Sequence, residues 1–160
     1  MEVNYIIEQI EKTKDLLNST KENDKYYLTI LLNSLLSLII LPVEDIKRNS
    51  RKTVFKTKYK DFLRIIGVAP IIFDPNEYND GIKTKTHYKT TSNFISKLRH
   101  GIAHQCIEIV IFENNTFITI FNIMKLKKTK IKDFEIKLSV KELKKLSLFI
   151  SNNYLKSIKL

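Results

Sequence analysis

The chain has 160 residues, with 28 Lys and Arg against 17 Asp and Glu, for a formal net charge of +11. Its 43% hydrophobic content, with only three Gly and three Pro, excludes a disordered chain and suits a single domain over residues 1–160. The single cysteine, Cys106, excludes an internal disulfide and a cysteine metal cluster. A reducing cytoplasm is the expected compartment, because the acid-bearing start MEVNYIIEQIEKTKDLL reads as neither a signal nor a transit peptide. The excess of positive charge favours an anionic partner, either nucleic acid or an acidic surface.

Residues 3 to 18 place Val3, Ile6, Ile7, Ile10 and Leu17 at helical spacing and predict an amphipathic helix. The polar break STKEND (19–24) follows. YYLTILLNSLLSLIILP (26–42) is the most hydrophobic stretch, too short and too interrupted by polar residues for a membrane span, and reads as a core helix ended by Pro42. Thr29, Asn33 and Ser37 recur every four residues on it. This polar stripe either permits close helix packing or faces a cleft, with Asn33 as a supporting donor. Residues 47 to 64 carry eight basic residues and one acid, and predict a loop followed by a short helix near YKDFLRII. Residues 67 to 89, with Gly67, Pro70, Pro75 and Gly81, read as a long surface loop that also holds His87.

TTSNFISKLRHGIAH (90–104) predicts a second core helix with Phe94, Ile95, Leu98 and Ile102 as its apolar face. CIEIVIFE (106–113), the NN turn and TFITIFNI predict a β-hairpin, with Ile107, Ile109 and Ile111 on one face of its first strand. FEIKLS (134–139) adds a third strand, and residues 140–155 close the chain as an amphipathic helix capped by Ser139. The expected fold is therefore mainly α, a helical bundle with a C-terminal β-hairpin or small antiparallel sheet.

The chemistry concentrates in SKLRHGIAHQ, where Lys97, Arg99, His100 and His104 gather within about two helical turns. Histidine gains and loses a proton near neutral pH, and the Arg fork matches a phosphate. Such a set can run phosphoryl transfer on RNA without a metal, because RNA supplies its own nucleophile, the 2′-hydroxyl. On an ideal helix Arg99 and His104 stand about 140° apart. Either Gly101 loosens the helix, or a second chain completes the site. A zinc site on His100 and His104 is a rival reading, but no Glu follows His100 and a third ligand would have to be Cys106, Glu108 or a distant residue.

Arg99, four intervening residues and His104, with polar His100 after the Arg, resemble the HEPN motif. LLNSLLSLIILPVE (31–44), followed by LRHGIAH and a hairpin, resembles a prokaryotic group of stand-alone HEPN nucleases over roughly residues 25–122. The resemblance implies a HEPN-like bundle and a homodimer whose Arg and His line an interface cleft. It also implies a metal-independent endoribonuclease that needs no cofactor and leaves a cyclic phosphate, in a toxin–antitoxin or phage-defence setting. By position, Arg99 then binds the scissile phosphate and His104 is the general acid or base. His100, Lys97 and Asn33 bind substrate or support the site. The implied partners are RNA, a second copy and an antitoxin or other regulatory protein, with no membrane. Some HEPN toxins carry a modifiable Tyr two residues after the His; Cys106 stands there instead. The competing expectation is a non-catalytic HEPN-type module that binds RNA or protein.

Overall fold

A computed structural model describes residues 2–49, 63–64, 67, 71–73, 91–126 and 129–158. The expected short helix near YKDFLRII falls mostly outside them, as do most of the basic run 47–64, His87 and nearly all of the 67–89 loop. The chain divides into two compact units, residues 1–54 with 144–160, and residues 55–143.

In the first unit, α1 (Val3–Ser19) buries Ile6, Ile10 and Leu17, the stripe its spacing predicted. The hydroxyl of Thr20 and its own N–H both donate to the Leu16 carbonyl, which closes the helix. The hydrophobic stretch then forms α2 (Tyr27–Leu35), a π-helical turn (Leu36–Ile40) and α3 (Leu41–Arg48) without a break. Pro42 therefore does not end the helix, contrary to the sequence expectation. A Pro in an α-helix clashes with the carbonyl four residues back. Here the ladder has already widened: the Leu41 N–H reaches back five residues to Leu36. Pro42 enters as the first turn of α3, where its missing N–H costs little.

The resulting 22-residue run, Tyr27–Arg48, is by length and composition apolar enough to cross a membrane, longer than the 26–42 stretch suggested. Its Leu31, Leu35, Leu38 and Ile39 are fully buried, as on a core helix. Thr29 and Asn33 are exposed and Ser37 half-buried, whereas Ser34 is the buried polar residue, its hydroxyl donating to the Ile30 carbonyl at 2.7 Å. Buried Asp45 accepts from the Tyr154 hydroxyl at 2.9 Å and from Asn49 Nδ2 at 2.6 Å.

The second unit is built on a four-stranded antiparallel sheet: β1 (Ile71–Phe73), β2 (Ile107–Phe112), β3 (Asn115–Leu126) and β4 (Thr129–Ser139), in the order β1-β4-β3-β2. The hairpin and third strand lie close to where the sequence placed them, but the turn falls on Glu113 and Asn114, both at positive φ, rather than on NN, and β4 starts five residues before the expected 134. β1 was not foreseen, because three residues between turn formers carry no periodicity. The register sets Ile118 and Ile120 beside Ile136 and Leu138, and all four are fully buried. Ile109 and Ile111 share that face by register, yet they are 50% and 73% exposed. β2 is the outermost strand among the described residues, so alternation there does not separate inside from outside.

α4 (Thr91–Ala103) packs on β3, burying Phe94, Ile95 and Leu98. The last helix, α5 (Val140–Ile158), begins with the expected cap. Ser139 Oγ accepts from the Glu142 N–H at 3.2 Å, while the Glu142 carboxylate accepts from the Ser139 N–H at 2.8 Å. This reciprocal capping box satisfies donors that a helix start leaves open. The helices and the small antiparallel sheet agree with a mainly α expectation, extended by β1.

Candidate functional site

The site is built at the end of α4. Gly101 does not loosen the helix there: residues 91–103 remain helical throughout. Its role is proximity. A Cβ on Gly101 would run into the Phe121 backbone carbonyl and sit 3.0 Å from Ile120 Cγ2. Only the absent side chain lets α4 lie this close to β3.

The helix stops two residues later. The Cys106 N–H donates to the Gly101 carbonyl at 2.8 Å and the Gln105 N–H to the Ile102 carbonyl at 3.0 Å. Gln105 takes a left-handed conformation at φ 56°. This is the pattern of a Schellman stop, with His104 as the C-cap. Phe121 then donates its N–H to the Cys106 carbonyl at 3.0 Å, feeding the chain into β2. Helix end and strand start are thus tied to the same residue of β3.

His104 is exposed at this end. His100, one turn earlier and half-buried, meets it ring to ring, with centroids 4.2 Å apart and planes tilted by 47°. Partial burial lowers the His100 pKa from its ordinary value, and the neighbouring His104, Arg99 and Lys97 lower it further; Asp133 opposes them. A neutral imidazole that can accept a proton thus stands among cations that can hold a phosphate.

Of the residues singled out from the sequence, His100 and His104 meet ring to ring, and Arg99 adjoins His100 on the same turn of α4. Lys97 lies on the same helix, but its ammonium pairs with Asp133 of β4. Asn33 belongs to the other unit, exposed on α2. Sequence reasoning missed Asp133 and its buried neighbour Asn122, whose Nδ2 donates to Asp133 Oδ1 at 2.5 Å. One signal was present: Ile131 and Phe134 are three apart, which breaks the period of two continued by Ile136 and Leu138.

The family model described as HEPN pEK499 p136 matches residues 1–159. No curated protein and no solved structure matches the chain significantly.

Proposed function

Because the chain belongs to the HEPN pEK499 p136 family, we propose that it is a metal-independent endoribonuclease acting as a homodimer. The carrying observation is the ring contact of His100 with His104 at the end of α4, with Arg99 next to His100 in the chain. The +11 charge supports an RNA substrate.

In the proposed reaction a base removes the proton from an RNA 2′-hydroxyl, and that oxygen attacks the adjacent phosphorus. The O2′–P bond forms and the P–O5′ bond breaks. A general acid returns a proton to the leaving 5′-oxygen, giving a 2′,3′-cyclic phosphate and a 5′-hydroxyl. His104 takes one of the two proton-transfer roles. Arg99 holds the phosphate and offsets the charge that builds on its oxygens. His100 supports its neighbours or contacts RNA. A second copy supplies the other half of the cleft, since Arg99 and His104 diverge on one helix. The proposed setting is a cytoplasmic toxin or phage-defence effector restrained by a partner protein.

The deciding experiment incubates the purified protein with single-stranded RNA in EDTA. Cleavage with cyclic-phosphate ends is expected; cleavage that depends wholly on added metal overturns the mechanism. The high positive charge also favours a second reading, a non-catalytic RNA-binding module. That reading predicts binding that weakens steeply with salt and no cut product.

A further inference from the structure

One extra residue in β4 aims a carboxylate at the helix that carries the candidate site. β3 and β4 pair in step from Phe117↔Ser139 to Asn122↔Phe134, then resume at Ile123↔Lys132. Asp133 is the residue skipped, a β-bulge. Phe134, Ile136 and Leu138 alternate onto the buried face, so strict alternation would send Asp133 to the opposite one. The bulge turns it back, a use of bulges that recurs beside functional sites. Asp133 and Phe134 are consequently both buried, at 6% and 0% exposure. Both meet α4: Phe134 packs edge-on against Phe94 at 5.6 Å, and Asp133 Oδ2 pairs with Lys97 Nζ. Asn122 donates to the other oxygen, Oδ1, at 2.5 Å.

A buried ion pair is a poor source of net stability once desolvation is counted. A bulge and a buried amide that together aim a buried carboxylate at one Lys fit a requirement for geometry better. Lys97 lies one turn before His100 and two turns before His104, on the stripe of α4 that also holds Gly101. We propose that Asp133 is a positioning residue of the site: by fixing Lys97 it holds the last two turns of α4, and with them Arg99, His100 and His104, in the pose that receives a phosphate. The catalytic consequence rests on the ribonuclease reading, whereas the positioning itself does not. Asp133 acts through Lys97 and through its charge. Around His100, it offsets the effects of Lys97, Arg99 and His104 on α4.

The test uses the full-length protein, whose three histidines keep the ring titrations separable by NMR. Asp133→Asn removes an anion that opposes the cations, so His100 should titrate at lower pH than in wild type. Lys97→Met removes a cation and leaves Asp133 unmatched, so the same ring should titrate at higher pH. A merely structural loss would expose His100 and raise its pKa toward the ordinary value in both variants. The opposite signs therefore separate positioning from unfolding. Asp133→Asn should also lower kcat for RNA cleavage roughly 10- to 100-fold with little change in KM, as small misplacements of reacting groups do. An unmoved His100 in both variants, or upward shifts in both, overturns the proposal. So does full kcat in Asp133→Asn. If the wild-type protein cuts no RNA, the ribonuclease reading fails, and the paired titrations still test the placement of Asp133 and Lys97 around His100. Should Asp133→Asn not fold, Lys97→Arg decides: it keeps the cation opposite Asp133, so His100 should titrate as in wild type, and an upward shift overturns the proposal.

Discussion

Gly101 of α4 lies against the Phe121 backbone carbonyl of β3, leaving no room for a methyl group between them. The obstacle is backbone, which cannot swing aside as a side chain can. Gly101→Ala should therefore destabilise the protein by about 1–3 kcal/mol, despite the better helix propensity of Ala. Urea unfolding measures it. Stability at or above wild type would mean that helix and strand have room to part. Because Gly101 sits between His100 and His104 along the helix, the same variant should lower RNA cleavage.

His100 ties stability to pH. Its pKa is lowered in the folded protein, first by burial and then by His104, Arg99 and Lys97. Between that lowered value and the ordinary 6.5, the unfolded chain binds more protons at this ring than the folded one. Stability from this group is then fully present above pH 6.5 and is lost as pH falls toward the folded value. Denaturation midpoints should drop on acidification through that window. His100→Asn should remove the part of the slope that belongs to this ring. An identical slope in the variant would assign the pH dependence to other groups.

Much of this was readable in the sequence, for identifiable reasons. α1 and α5 carry long apolar stripes, and the hairpin carries two β-branched runs around a short polar break. These are local patterns, and the structure follows them. Pro42 misled because its effect depends on the widened turn before it, which the sequence does not announce. Arg99, His100 and His104 were legible because they lie within six residues of one another. Asp133 was not, because its value comes from a bulge that joins residue 133 to residue 97. Gly101 was noticed for the wrong reason: its cost to a helix is local, but its purpose is a contact twenty residues away.

In the first unit, the Tyr154 hydroxyl donates to Asp45 at 2.9 Å, and both side chains are buried, at 0% and 5% exposure. Tyr154→Phe keeps the ring and removes one donor from a buried carboxylate. Leaving such an acceptor short of a partner costs about 1–3 kcal/mol. Thermal or urea unfolding should show that loss. RNA cleavage at a temperature where the variant is folded should stay near wild type, since Arg99 and His104 lie in the other unit. A large fall in kcat without unfolding would show that the two units share the chemistry.

The sharpest test of the two-chain site uses two inactive variants together. Arg99→Ala removes the phosphate-holding group and His104→Ala removes a proton-transfer group, so each should abolish cleavage while leaving a folded dimer. On an ideal helix the two side chains of one chain stand about 140° apart. If each cut uses Arg99 of one copy and His104 of the other, a mixed dimer of the two variants contains one intact pair. Unfolding and refolding an equal mixture should recover about a quarter of wild-type activity: half of the dimers are mixed, and each has one of its two pairs intact. If a single chain supplies both groups, the mixture stays as inactive as its components. Cleavage measured on the mixture, against each variant alone at the same total concentration, distinguishes the two arrangements.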